Sequence, residues 1–192
     1  LTIAKYYTPS GRCIQKPYEK GKQQEYRMDV INRFNHGELT NADSIHFPDS
    51  LRFQTLKKGR TVYGGGGIMP DIFVPLDTMN VTRYFSEVSG RNILYRYTIE
   101  YADSHRKALE SAKSVAELKA MLDSDKSLFS DFVRYAERQG VKPNWREINR
   151  SRDIMEAQLR AYISRNSDLE DNAFYYFIYP IDRTILRAIE EL

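Results

Sequence analysis

The sequence has a single cysteine, Cys13, so no internal disulfide can form, and cysteine usage leaves the redox compartment undecided. It also lacks an apolar run of the roughly 18 residues that a membrane-spanning helix needs. The richest stretch, residues 174–179, stops at Pro180. Neither sign of charge dominates, because 29 Lys and Arg are interspersed with 26 Asp and Glu. Because there is no basic stripe, we expect no nucleic-acid binding. Because there is no long apolar run, we expect no membrane span.

Aromatic residues are abundant, with 14 Tyr and 9 Phe in 192 residues, and 41% of the chain is hydrophobic. This composition is typical of a globular protein with a packed core. The length allows one well-buried domain, or a small domain joined to part of another. Since the sequence starts at Leu1 within an apparent strand, without an initiator Met, we expect a fragment of a longer protein.

The first part of the chain, residues 1–77, carries mainly β signals. Residues 1–7 alternate as in a strand, Thr8-Pro9-Ser10-Gly11 has the pattern of a type I turn, and residues 12–15 resume extended chain. Residues 18–50 interrupt this pattern as a polar insertion. The insertion contains a short amphipathic helix, residues 26–34, closed by Gly37.

Two glycine-containing segments follow the insertion. Residues 53–63 predict a β-hairpin with Gly59 at its turn, and residues 72–76 predict an apolar strand. Four glycines, residues 64–67, precede that strand and suit a bend or the close approach of another backbone. A phosphate-binding loop is the alternative, but Ile68 and Met69 stand where its Lys-Ser/Thr would be.

From residue 78 onward the apolar period becomes helical, and start signals occur at Asn80, Ser114, Asn144 and Asp182. Residues 94–109 predict one long helix, and residues 144–164 predict another. In the last helix we expect Ile185, Leu186 and Ile189 to face inward. The predicted fold class is α+β: a few-stranded antiparallel sheet in residues 1–77, then a helical domain in residues 78–192.

A search for chemistry yields no catalytic, metal or cofactor residue. No Gly-x-Ser-x-Gly string occurs, so Ser10 is interpreted as a turn residue and Ser89 as a helix end. The three histidines, His36, His46 and His105, have no partner at metal-ligand spacing, and His105 is expected to be a semi-buried packing residue. Cys13 lies in extended chain without a recognisable histidine partner and is expected to be a packed thiol.

Two further groups of side chains have a functional and a structural interpretation. The carboxylate pairs Glu190-Glu191 and Asp123 with Asp125 are expected to be solvated. The aromatic residues Tyr95, Tyr97, Tyr101 and 174–179 favour core packing, although a peptide-binding or oligomer surface stays open.

Two motifs resemble the family of tail-specific (C-terminal processing) serine peptidases. These are residues 1–15, which contain Tyr-Tyr-Thr-Pro-Ser-Gly, and residues 59–71, which end in Gly-Ile-Met-Pro-Asp. About 43 residues separate them, in agreement with the polar insertion. The resemblance covers residues 1–77 and implies that these residues are the last strands of a peptidase core.

The same resemblance implies proteolysis by a serine nucleophile and a lysine base, often assisted by a glutamine, with a PDZ-like module that captures substrate tails. In that family both catalytic residues precede the segment matching Leu1, so none is assigned to this chain. The expected partners are a protein or peptide substrate and, as an option, a second copy. The implied location is the periplasm or cell envelope, and the alternative function is a non-catalytic interaction or dimerisation module.

Overall fold

The computed structural model describes residues 4–192, which divide into two compact units, one ending at Leu76 and the other spanning Asp77–Leu192. The chain is mostly helical with one small antiparallel sheet, which is an α+β arrangement in coarse terms.

Within residues 4–76 the first unit has one α-helix, two short 3-10 helices (Ala42–Ser44 and Asp49–Leu51) and one hairpin. Helix α1 spans Gln23–Asn35, and strands β1 (Arg52–Gln54) and β2 (Thr61–Tyr63) pair antiparallel. Phe53 lies opposite Val62 in this register. The hairpin prediction is therefore confirmed, with shorter strands than expected.

Two predicted strands of the first unit are wrong as far as the structure describes them. Residues 1–3 lie outside the described residues, residues 4–6 form no strand, and Tyr7 makes only an isolated bridge with Cys13. Residues 72–76 also form no strand, and the Leu76 N–H donates to the Leu39 carbonyl at 2.8 Å. A strand needs the ladder of a neighbour, and Pro75 removes one donor from any such ladder.

Helix α1 agrees with the prediction in position and in its end. Gly37 adopts φ of 81°, and the Glu38 N–H reaches back to the Arg33 carbonyl, which is the hydrogen bond that closes many helices at a glycine. None of its residues is buried, however, and Val30 is 63% exposed. Of residues 4–76, only Gly64 is buried.

The second unit is built from helices joined by short connections. In chain order they are α2 (Arg83–Gly90), α3 (Ile93–Ser104), α4 (Arg106–Ser111), α5 (Val115–Ser124), α6 (Leu128–Arg138), α7 (Trp145–Arg150), α8 (Arg152–Ser164), α9 (Glu170–Ile178) and α10 (Arg183–Glu190).

Three of the four predicted helix starts are confirmed. The side chains of Ser114, Asn144 and Asp182 each accept a hydrogen bond from a backbone N–H in the first turn that follows. The fourth is wrong, because Thr82 rather than Asn80 caps α2. At the start of α5 the Ser114 side chain accepts from the Glu117 N–H, and the Glu117 side chain accepts from the Lys113 N–H.

Two long predicted helices are each broken into two. The break after α3 lies at His105, where the Ser104 hydroxyl and the His105 ring both bond to the Tyr101 carbonyl. Such side-chain bonds compete with the helical ladder. The break before α8 lies at Ser151, whose side chain bonds to the Asn80 carbonyl.

The hydrophobic core lies entirely within the second unit. Helix α3 packs against α6 and α8, and α8 packs against α9. Helix α6 buries an apolar stripe that includes the completely buried Phe132, and Gly140 follows the helix at φ of 88°. Leu118 and Leu122 on α5 are also buried.

Helix α10 corrects the prediction for the end of the chain. Leu186 is 37% exposed and Ile189 is 54% exposed, so these side chains do not face inward. No residue of α10 is buried or belongs to the core cluster. The sequence has the apolar period of an amphipathic helix, but that period does not show which part of the protein packs against the apolar face.

Candidate functional site

The two sequence motifs of the first unit lie side by side. The Gly11 N–H donates to the Thr8 carbonyl at 2.9 Å, which closes the predicted turn, and the Thr8 N–H donates to the Arg12 carbonyl at 2.9 Å. The chain after this turn then runs along the glycine segment, residues 64–67. The Gly65 N–H donates to the Cys13 carbonyl at 2.9 Å, and the Gly67 N–H donates to the Ile14 carbonyl at 2.8 Å.

The contact between the motifs leaves little space for a side chain at position 64. A Cβ on Gly64 would lie 3.0 Å from the Cys13 carbonyl oxygen and 3.2 Å from the Phe53 ring. The Arg12 guanidinium adds a hydrogen bond of 3.3 Å to the Tyr63 carbonyl. Glycine at position 64 therefore avoids a Cβ contact tighter than side chains ordinarily make where the two backbones cross.

The same hydrogen bonds argue against a phosphate loop. Such a loop presents free N–H groups to the anion. Here the N–H groups of Gly64, Gly65 and Gly67 donate to protein carbonyls, namely those of Leu51, Cys13 and Ile14. The geometry fits the structural interpretation of the four glycines.

The serine and cysteine side chains considered as nucleophiles make local contacts. Ser10 lies in the turn, with its hydroxyl 3.0 Å from that of Thr8. Ser89 lies in the last turn of α2 with its hydroxyl buried and unpaired in the described part of the chain. The Cys13 thiol faces the Gln15 carbonyl at 3.8 Å. In none of these contacts does a basic side chain accept a proton from Ser10, Ser89 or Cys13.

The histidines also bond to nearby backbone. His36 follows the last residue of α1, and the His46 ring lies 3.1 Å from the Ser44 carbonyl. His105 is exposed, which corrects the semi-buried expectation, and its ring stacks on Tyr101 at 4.0 Å between centroids.

Ser104 and His105 form a contact that sequence reasoning missed, with Oγ 3.2 Å from Nδ1. The same Nδ1 lies 2.9 Å from the Tyr101 carbonyl. A carbonyl can only accept, so this nitrogen carries the proton and cannot take one from Ser104. Ser104 in turn donates to backbone carbonyls of its own helix, so the pair does not form a nucleophile and base.

A polar cleft of about 740 Å³ opens between α3 and α6. Asp125 is its central carboxylate and accepts from the Tyr101 hydroxyl at 3.0 Å and from the Ser127 N–H at 2.9 Å. Tyr135 donates to Glu100 at 2.9 Å on the other side. The remaining charged groups of the lining are His105, Asp131, Arg134 and Arg138.

The protonation states of this cleft follow from burial and hydrogen bonding. Burial acts to raise the pKa of Asp125, but hydrogen bonds from Ser127 and Tyr101 outweigh it, so its pKa lies below the ordinary range. Burial, then the bond to Asp125, raises the pKa of Tyr101. At neutral pH the Tyr101 hydroxyl is therefore a neutral donor to an ionised Asp125 carboxylate.

Asp123 and Asp125 are both partly exposed, and each is also held by polar partners. Asp123 pairs with Lys119 and with Arg160, the latter at 3.1 Å, in a smaller cleft of about 340 Å³. The hydrogen bond from Lys119 lowers the pKa of Asp123 despite its partial burial. Glu190 and Glu191 are exposed, as expected, and both pair with Arg187.

The aromatic cluster divides between core and surface. Tyr97, Tyr101 and Phe177 are buried, whereas Tyr95, Tyr175, Tyr176 and Tyr179 are at least 40% exposed. In residues 4–192, no group of His, Cys, Asp or Glu is placed to hold a metal ion. None of the helices in that range has the length and apolar content to cross a membrane.

Comparison with family models places a match in the helical unit. Residues 84–167 are similar to a family of unknown function (DUF8443), which covers less than half of the chain, from α2 to just beyond α8. No curated protein matches the chain. No solved structure matches it either.

Proposed function

We propose that this chain is the C-terminal part of a tail-specific serine peptidase. In this proposal the first unit completes the peptidase core and the helical unit provides an interaction surface. The observation that carries it is the pairing of the two motifs, in which the Gly65 and Gly67 N–H groups donate to the Cys13 and Ile14 carbonyls. Two segments separated by about 43 residues in sequence are thus joined by two backbone hydrogen bonds, which supports the proposal that both belong to one peptidase core.

The low burial of the first unit also supports the proposal. Val30, Leu56 and Ile68 are each more than 60% exposed, and only Gly64 is buried in residues 4–76. A unit with so little buried apolar surface gains little stability by itself. In the proposed parent, further strands of the peptidase sheet would cover these side chains.

The proposed reaction is hydrolysis of a peptide bond near the C-terminal tail of a substrate protein. The nucleophile would be a serine activated by a desolvated lysine, both encoded before residue 1. No residue of this chain takes part chemically. The Gly64 crossing would form part of the scaffold behind the site, and the protein would act in the periplasm or cell envelope.

The experiment begins with the parent gene, in which a serine in a Gly-x-Ser turn should precede a lysine by roughly 25 residues. The purified parent should cleave an unstructured protein with a free C-terminal tail. Alanine at either of those two residues should lower kcat/KM by at least about 10³-fold. A parent with both residues intact and no cleavage, or with cleavage that survives the serine substitution, would contradict the proposal.

Two substitutions in this chain form a matched pair in the same assay. Gly64→Ala should reduce activity, because the new Cβ forces apart the backbones behind the site, whereas Gly66→Ala has nothing within 4 Å and should not. Equal activity of both variants would argue against a scaffolding role.

A non-catalytic interaction module is the second candidate function. The exposed aromatic side chains of α9, with Tyr175 at 56%, favour it, since aromatic residues anchor many interfaces. An upstream sequence in which the serine or lysine is replaced would select this alternative over the peptidase.

A further inference from the structure

The polar cleft between α3 and α6 contains charged groups of both signs, and only some of them pair with each other. Arg134 and Asp131, three residues apart on α6, form an ion pair. Asp131 also accepts from the Ser127 hydroxyl at 2.8 Å. These two charges neutralise each other, so the other charged groups of the lining decide which ligand the cleft can bind.

Two carboxylates of the cleft have hydrogen bonds but no ion pair. Glu100 accepts from the Tyr135 hydroxyl at 2.9 Å, and Asp125 accepts from the Tyr101 hydroxyl at 3.0 Å. Asp125 also accepts twice from Ser127. In the described part of the chain, neither carboxylate forms an ion pair with Lys or Arg. Since a carboxylate can accept about four hydrogen bonds, both can still accept from a cationic ligand.

One guanidinium of the cleft also lacks an ionic partner. Arg138 is the last residue of α6, and its guanidinium carbon lies 5.8 Å from the centre of the Tyr135 ring. Among the residues that the structure describes, no carboxylate or carbonyl accepts from it. His105 donates through Nδ1 to the Tyr101 carbonyl and is counted as neutral. The unpaired groups are therefore two carboxylates and one guanidinium.

The spacing of the tyrosine rings limits the size of a ligand that can reach both carboxylates. The Tyr97 ring lies 6.3 Å from the Tyr101 ring and 5.4 Å from the Tyr135 ring, between centroids. The tyrosines that orient the two carboxylates are thus separated by one further ring. A single amino acid with a long side chain can bridge that interval, and the cleft volume of about 740 Å³ accommodates it.

We propose that this cleft binds a free basic amino acid, lysine or arginine. Two carboxylates and one guanidinium are complemented by a ligand with two positive groups and one negative group. The α-ammonium and the side-chain cation would pair with Glu100 and Asp125, and the α-carboxylate would pair with Arg138 in a two-bond contact. The inference does not depend on the peptidase proposal, because it concerns only residues of the helical unit.

The first test is isothermal titration of the full 192-residue chain with L-lysine at low salt, which should give a Kd of about 1 mM or lower. Norleucine, cadaverine and Nα-acetyllysine each lack one of the three charged groups. Each should bind at least about 5-fold more weakly, because one charge-assisted contact is lost. Absence of saturable binding up to about 20 mM lysine would overturn the proposal. Equal binding of Nα-acetyllysine would overturn the choice of a free amino acid over the end of a peptide.

Two substitutions assign the ligand groups to their partners. Glu100→Gln should weaken the binding of both lysine and cadaverine about 5- to 10-fold. Arg138→Gln should weaken lysine to a similar extent but should not weaken cadaverine, which has no carboxylate. Both residues are exposed, so the fold should persist, and far-UV circular dichroism checks this. Glu110→Gln, an exposed position on α4 outside the cleft, is the control and should leave both affinities unchanged. An equal effect of Arg138→Gln on lysine and cadaverine would overturn the assignment.

Discussion

The hydroxyls of Thr82 and Ser151 lie 2.7 Å apart although 69 residues separate them in sequence. Ser151 is fully buried and Thr82 is 8% exposed. The Asn80 carbonyl, 2.6 Å from Ser151, can only accept, so Ser151 donates to it and Thr82 donates to Ser151. This chain of bonds joins the start of α2 to the junction between α7 and α8.

The first prediction concerns this buried chain of hydrogen bonds. Ser151→Ala leaves the Asn80 carbonyl and the Thr82 hydroxyl without their partner, and should lower the free energy of unfolding by about 1–3 kcal/mol. Urea denaturation followed by far-UV circular dichroism measures it. Ser130→Ala removes a serine that is exposed on α6 and should change the free energy by less than about 0.5 kcal/mol. Similar losses in both variants would contradict the assignment.

The second prediction concerns the crossing of the two motifs. Gly64→Ala should destabilise the first unit by roughly 1–3 kcal/mol, because the Cβ would meet the Cys13 carbonyl at 3.0 Å. Gly66→Ala, with open space around it, should be neutral or slightly stabilising. Hydrogen exchange at the Gly65 and Gly67 amides reports the effect directly. Unchanged protection in Gly64→Ala would show that the crossing tolerates a side chain.

The third prediction concerns acid stability. The pKa of Asp125 is lowered in the folded chain, so its contribution is present above the unfolded value, about 3.9, and is lost as the pH falls below it. Asp125→Asn should therefore be less stable than wild type at pH 7, and the difference should shrink toward pH 2. Urea midpoints across that range test this. A difference that stays constant with pH would exclude an ionised role for Asp125.

The fourth prediction concerns tyrosine ionisation. Burial raises the pKa of Tyr84 to about 12, with the Glu137 carboxylate acting in the same direction. Absorbance titration should show one fewer late-titrating phenol in Tyr84→Phe. The exposed Tyr175, replaced in the same way, serves as the comparison. Loss of a phenol near pH 10 from Tyr84→Phe would contradict the burial.

The features that sequence predicted well are those whose signal is local. Ser114, Asn144 and Asp182 cap helices because a short polar side chain can reach an N–H two or three residues ahead. Gly59 and Gly37 allow positive φ where a turn or helix end requires it. These relations need no knowledge of the rest of the fold.

The features that sequence missed depend on distant neighbours. Residues 72–76 are apolar enough for a strand but have no paired strand, and the face of α10 has the right period but nothing of the core against it. The breaks at His105 and Ser151 arise from side-chain bonds that interrupt otherwise continuous apolar periods. The polar cleft was missed for the same reason, because α3 and α6 meet only in the folded chain.

The concentration of buried residues in Asp77–Leu192 has a practical consequence. A segment that encloses its own apolar interior can be moved as a cassette, produced separately or fused to an unrelated carrier. Residues 4–76 bury almost no side chains, so we expect them not to keep their structure when they are produced without the rest of the chain.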